Sequence, residues 1–263
     1  MKKFRETTVI LTADSDIASR TNKRRANEGW NTLFIGANRF SQKPDDPTPS
    51  PETLFPVAFL VEKEPGSIVR SHFHQAEQFQ IVVGGSGKFG VHEVDGIVVH
   101  YTGPYTPYGP LVASEQGMDW FTLRNAWDPG ARYMPAERIG LRDGRARYPH
   151  REATAEVHQV FTDTELSGLT TNTEEVVIAP ADDGVAAWRY RLVPGGKLTG
   201  PQPGMGGGQF WVILSGSMTA TENQLLPEKS CVFVPPEDAA LAPVAGPLGA
   251  EILCMQFAVR PKH

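Results

Sequence analysis

Gly66-Ser-Ile-Val-Arg-Ser-His72-Phe-His74-Gln-Ala-Glu-Gln78-Phe-Gln-Ile-Val-Val-Gly-Gly85 is the stretch whose reading decides the fold. Two histidines one residue apart on a strand share a face, because side-chain direction in a strand repeats every two residues. Gln78 keeps the same parity, so three side chains carrying nitrogen or oxygen donors converge on one spot. Imidazoles at this spacing suit a first-row transition metal held on the wall of a β-barrel. Glycines at both ends fit the tight turns that bound a short antiparallel strand.

The stretch resembles the first signature of the cupin superfamily: glycine, five residues, His-x-His, three or four residues, Glu, six residues, glycine. Gly66, His72, His74 and Gly85 fall on the pattern, and Gln78 stands where the family has glutamate. A neutral amide there replaces an anionic ligand. Glu77 is one residue out of step and points to the opposite face unless the backbone bulges. The resemblance implies a mononuclear divalent transition metal (iron, manganese, nickel or zinc) on His72, His74 and Gln78. The other reading of the two histidines is that they are polar strand residues.

The chain repeats itself. Gln209-Phe-Trp-Val-Ile-Leu-Ser-Gly216 has the form of Gln78 to Gly85 at an offset of 131 residues, and Pro65-Gly66 recurs as Pro194-Gly195 at an offset of 129. Each of these Pro-Gly pairs follows an alternating strand, with Val57, Phe59 and Val61 in one copy and Ala186, Trp188 and Tyr190 in the other. Trp120 to Arg124 recurs as Ile252 to Gln256 at an offset of 132. Constant offsets mean two copies of one structural unit. With the cupin resemblance, the expected fold is all-β: two tandem cupin-type jelly-roll barrels with a short N-terminal helical or extended segment. The expected division is 1–50 for that extension, 51–130 for the first barrel, 131–165 for a linker and 166–263 for the second barrel.

In the second copy Pro203 and Met205 take the places of His72 and His74, within Pro-Gln-Pro-Gly-Met-Gly-Gly-Gly. No ligand for a hard or borderline cation is present there, and the glycine run reads as a flexible hairpin. Gln78 and Gln80 give the first copy a polar interior, whereas Gln209 is followed inward by Trp211 and Ile213, which read as a filled core. The first barrel is therefore the expected working one.

A net charge of −5 and a pI near 5.8 argue against a nucleic-acid partner. Lys23-Arg24-Arg25 reads as a solvated tail or helix end. No apolar run reaches membrane-spanning length, so no membrane partner is expected, and Met-Lys-Lys-Phe-Arg-Glu lacks the apolar stretch of a signal peptide. Cys231 and Cys254 lie in apolar strand-like runs and read as buried free thiols, which fits a cytoplasmic setting. The abundance of glycine (26) and proline (22) fits many short strands joined by turns. A helix is expected within 13–30, an extended connector over 41–56, and a polar crossover over 127–157. Thr162-Asp-Thr-Glu165 offers a weak cap signal for a helical turn.

Cupins carry a third histidine in a second signature after Pro-x-Gly. Here Pro107-Tyr108-Gly109 is followed by Val112 at the histidine position. His100 is the nearest replacement and either completes a three-histidine site or ends a strand as a polar residue. His92, His150, His158 and His263 read as surface residues. Arg124 shares parity with Thr122 and Trp120 and either holds a substrate carboxylate with its two-pronged guanidinium or ends an exposed strand. Tyr101, Tyr105 and Tyr108 lie in a Gly/Pro-rich loop, a setting for barrel-mouth ligand contacts or for loop packing. Candidate substrate-binding residues are Gln80, Tyr101, Tyr108 and Arg124.

Three functions compete: a metal-dependent, dioxygenase-like enzyme acting on a small organic molecule, anionic or neutral; a non-catalytic small-molecule binding or sensing protein; and a structural paralogue with a degenerate site. A homodimer is also expected. Phe79, Ile81 and Val83, with Phe210, Val212 and Leu214, face away from the two interiors and need cover from the N-terminal segment, the other barrel or a second chain.

Overall fold

The computed structural model describes residues 10–37, 48–50, 52–157, 159–221 and 224–259. Residues 41–47 and 51 of the expected connector over 41–56 fall outside them, as do His158 and His263. The chain divides into two compact units: residues from Lys23 to Val157 form the first, and residues 10–22 with 159–259 form the second.

β1 (Leu11–Ala13) and α1 (Ser15–Thr21) belong to the second unit. Asp14 caps α1 by accepting from the backbone N–H groups of Asp16 and Ile17. The helix ends at Thr21, well short of the expected 13–30. Lys23-Arg24-Arg25 is a strand instead of a solvated tail: β2 (Lys23–Ala26) and β3 (Gly29–Ile35) form a hairpin on the first unit's sheet. Tertiary partners override helical propensity here. Lys23 and Arg25 share a face, pair with Glu62 and Glu64 at 2.7 and 2.6 Å, and lie over the Trp30 ring.

The first unit continues with β4 (Val57–Lys63), β5 (Ile68–Val69), β6 (His72–Phe73), β7 (Gln78–Phe89), β8 (His92–Asp95), β9 (Ile97–Thr102) and β10 (Leu111–Arg124). The expected crossover over 127–157 is structured: it holds β11 (Arg132–Tyr133), α2 (Arg138–Arg145) and β12 (Glu152–Val157). β11 pairs with β6 and β12 with β9, so backbone pairing overrides a polar sequence with no strand signature. The main sheet runs β12-β9-β7-β10-β4-β3-β2, all antiparallel.

The second unit continues with α3 (Asp163–Ser167), closed by a complete capping box between Thr162 and Glu165. Then come β13 (Thr173–Ile178), β14 (Ala186–Leu192), β15 (Gln209–Thr219), β16 (Leu225–Pro227), β17 (Cys231–Val234) and β18 (Val244–Gln256), in the order β1-β17-β15-β18-β14-β13. The pairings of β15 with β17 and β18, and of β18 with β14, repeat those of β7 with β9 and β10, and of β10 with β4. These are two jelly-roll units, and the chain is all-β in class.

Gly85 and Gly216 carry the repeat at backbone level. Both have positive φ (68° and 71°), and a Cβ would stand 2.1 Å from the Gly117 carbonyl oxygen and 2.3 Å from that of Gly249. Only glycine allows the strands to close at this point.

Trp188, Tyr190, Trp211, Ile213, Val232 and Ile252 fill the interior of the second unit. The stretch expected to be a flexible hairpin is a 3-10 turn, Pro203–Met205, followed by buried Gly206, Gly207 and Gly208. A Cβ on Gly206 would meet Gln256 and the Phe257 carbonyl at 2.5 Å, so these glycines serve close packing. Cys231 and Cys254 are buried and unbridged.

Phe79, Ile81, Phe210, Val212 and Leu214 are buried within the single chain, and Val83 is half-buried. Phe34 of β3 packs edge-on against Phe121 at 5.1 Å. The apolar faces that suggested a homodimer are therefore covered without a second chain, and that argument for dimerisation falls away.

Candidate functional site

A cavity of about 410 Å³ opens in the first unit. Alternation along β4, β7 and β10 aims Phe59, Val61, Gln80, Thr122, Trp120 and Arg124 into it, and the segment around β6 adds His72 and His74.

Polar groups at its inner end form a continuous, directed chain. His72 Nδ1 lies 2.7 Å from the Arg70 carbonyl oxygen, which only accepts, so Nδ1 carries the proton and Nε2 is the acceptor. Nε2 takes a hydrogen bond from the Tyr108 hydroxyl at 2.8 Å. The Tyr108 oxygen in turn accepts from Gln78 Nε2 at 2.6 Å, and the same amide nitrogen donates to Gln80 Oε1 at 3.2 Å. Gln78 Oε1 accepts twice from Arg124, from Nε at 3.0 Å and from Nη2 at 2.8 Å. Arg124 Nη1 lies 3.4 Å from Asp128.

Asp128 anchors this end. Its carboxylate accepts from the backbone N–H groups of Gln75, Ala76 and Gly130 and from His74 Nδ1 at 2.7 Å. Burial works to raise its pKa, but Arg124 and His74 outweigh burial and hold it well below the usual carboxylate range. Burial, with His74 beside it, pushes His72 down to about 3, and burial pushes the Tyr108 hydroxyl up. At neutral pH this inner end pairs the Arg124 guanidinium with the Asp128 carboxylate beside a neutral His72 and a protonated Tyr108.

Of the residues expected at the site, His72, His74, Gln80, Tyr108 and Arg124 line the cavity. Gln78 sits behind them, fully buried and joined to Tyr108 and Arg124. Tyr101 does not join them. His100 and Thr102 face the interior, so Tyr101 faces outward and donates to Glu77 at 2.7 Å. Glu77 itself lies on that outer side, beside Asn125, as its parity required.

His100 does not complete a three-histidine set. Its Nδ1 pairs with the Thr154 hydroxyl at 2.8 Å, and its ring lies 4.3 Å from Phe89. Its Nε2 has no hydrogen-bond partner among the described residues and stands 3.7 Å from Glu152. The two prongs expected of Arg124 for a substrate are turned instead onto Gln78. Tyr108, expected at the mouth, is 5% exposed and sits at the centre of the polar chain.

Asp128 was missed from sequence because Trp127-Asp-Pro-Gly reads as a turn. Its position four residues after a strand-ending arginine was the available signal. Tyr133 was missed as well. It comes from β11 and lies 5.6 Å from the His72 ring, with Arg70 over its own ring at 4.9 Å.

The donor set as arranged does not fit a divalent metal. Gln78 oxygen is occupied by the guanidinium, His72 Nε2 is occupied by Tyr108, and Arg124 Nη2 stands 3.1 Å from His74 Nδ1. Among the described residues, no group of three His, Cys, Asp or Glu side chains is placed to hold a metal. No described helix is long and apolar enough to cross a membrane.

No family model and no curated protein matches the chain. Solved structures do. A bacterial pirin from Escherichia coli in complex with nickel(II) is similar at a TM-score of 0.59 and 9% identity, covering 95% of this chain and 100% of the pirin. The formate complex of Lactobacillus farciminis oxalate decarboxylase is similar at 0.58 and 10% identity, covering 97% of this chain and 87% of that one. Bacillus subtilis oxalate decarboxylase, a protein with Mn(II) centres, is similar at 0.52 and 13% identity, covering 97% and 78%. At such identities the likeness speaks for the fold alone, and that fold is the cupin jelly roll.

Proposed function

We propose that the first barrel binds a small organic anion in its cavity. The observation that carries this reading is the charge of the lining: Lys63, Arg70 and Arg124 against Glu28 and Asp128, with His72 neutral. Arg124 is buried, so its field is screened less than that of a surface cation. A cavity of this size fits a ligand of modest molecular weight. The test is calorimetric titration with small carboxylates and their amides. The acids bind, more weakly at high salt, and Arg70→Gln at the exposed rim lowers their affinity severalfold. Equal binding of acid and amide overturns the reading.

A second reading is a mononuclear metal-dependent, dioxygenase-like enzyme, with iron, manganese, nickel or zinc on His72, His74 and Gln78. It is favoured by the tautomers of the first two rings. Each commits Nδ1–H to a carbonyl or carboxylate, as metal-ligating histidines commonly do. It requires Tyr108 to leave His72 and Arg124 to leave Gln78. Metal content of protein purified without chelator separates the two readings: a stoichiometric metal that is lost in His72→Ala/His74→Ala supports the second, and substoichiometric metal supports the first.

A further inference from the structure

The register of β4 on β10 stacks the cavity wall in rows. Val57 lies opposite Arg124, Phe59 opposite Thr122, Val61 opposite Trp120, and Lys63 opposite Met118. Six residues of strand separate the Arg124 and Lys63 rows, roughly 20 Å at about 3.3 Å per residue. On β4 and β10 the rows between them present Phe59, Val61 and Trp120 to the cavity, with Leu111 further along β10; the polar side chains in these rows, Thr122 with its partner Gln80 and Asn31 beside Val61, are all neutral. Trp120 and Leu111 are 4% and 1% exposed and belong to the barrel's packed core, so they back the band, while Phe59 and the half-buried Val61 front it.

We propose that the anion is an amphipathic monocarboxylate, with its acid group at the Arg124 end and an apolar body about the size of one ring against Phe59, Val61, Leu111 and Trp120. This rests on the anion reading above and narrows it. A short diacid is disfavoured by the same geometry. Its first carboxylate sits in the field of Arg124, and its second comes to rest against the Phe59 and Trp120 rows, where Thr122 and Gln80 are neutral and neither row holds a cation. An apolar body in that band is itself withdrawn from water, and this supplies the gain, since Phe59, Leu111 and Trp120 are already buried.

Titration calorimetry on the full wild-type chain with phenylacetate, acetate, oxalate and phenylacetamide tests the proposal. Phenylacetate is expected to bind at least about tenfold more tightly than each of the other three, as the burial of a ring allows. Acetate or oxalate within tenfold of phenylacetate overturns the apolar body and leaves the anion reading standing. Phenylacetamide within tenfold of phenylacetate overturns the anion reading and the proposal with it.

Discussion

Gln78 and Arg124 are locked together by two hydrogen bonds, from Nε and Nη2 of the guanidinium to the single amide oxygen. The pair places a fixed positive charge at the inner end of the cavity, and Asp128 balances it from behind. Loss of the cation therefore exposes a buried carboxylate. Arg124→Met is expected to cost about 3–5 kcal/mol, the usual cost of leaving one buried ion without its partner. Asp128→Asn in the same chain recovers part of that loss, so the double variant is destabilised by less than the two single losses added together. Urea denaturation of the four proteins measures the coupling, and strict additivity would falsify the pairing.

Acid sensitivity follows from the neutral imidazoles. Burial, with His92 nearby, pushes His100 down to about 3, against about 6.5 for an unfolded histidine. Above pH 6.5 both states are neutral, and the full stability is present. Between pH 6.5 and about 3 only the unfolded chain takes up the proton, so stability falls as pH falls, by up to about 1.4 kcal/mol per pH unit for each such ring. His72 adds to the same window. Denaturation midpoints measured from pH 7 to 4 give the slope, and His100→Gln is expected to make it shallower. An unchanged slope in that variant means His100 is not held neutral.

Two glycines of the opening stretch differ in what they tolerate. Gly66 has φ 71° with nothing within 4 Å of a Cβ, whereas Gly85 has φ 68° with the Gly117 carbonyl oxygen at 2.1 Å. Gly66→Ala pays only the left-handed backbone penalty, about 1–2 kcal/mol. Gly85→Ala adds a backbone collision and is expected to lose several times more, with Gly216→Ala alike in the second unit. Comparable thermal shifts for Gly66→Ala and Gly85→Ala would contradict this ranking.

Tyr108→Phe removes the hydroxyl that links His72 to Gln78. It leaves a buried acceptor and a buried donor without that partner and is expected to cost about 1–3 kcal/mol. Under the anion reading the variant still purifies without stoichiometric metal, because Arg124 remains on Gln78. Elemental analysis decides this, and recruitment of a full equivalent of metal points to the metal-dependent reading instead.

The strand alternation of Gln78 and Gln80, the shared side of His72 and His74, and the tandem repeat were all legible in the sequence, because each depends on local periodicity or on self-similarity. The site's wiring was not. Whether Arg124 holds a ligand or Gln78 depends on a residue 46 positions away, and Asp128 is indistinguishable from an ordinary turn aspartate until the chain folds back. His100 illustrates the same limit: it sits on an interior-facing parity, but Thr154 of β12, a strand with no signature, claims its ring. Lys23-Arg24-Arg25 looked like a solvated tail for want of Glu62 and Glu64.

The order in which the chain is made bears on how its N-terminal segment is used. Leu11 pairs with Phe233, so β1 leaves the ribosome more than two hundred residues before the strand that will hold it. β2 and β3, which follow it, find their place on β4 much sooner. The edge of the second sheet thus closes only after residue 233 has been made, and a contact so distant in sequence is slow to form. A nascent chain stalled before residue 231 would carry a finished first unit trailing an orphaned leading strand. A gene fragment starting at residue 159 would have to fold with that edge bare, a standing invitation to pair with a stranger.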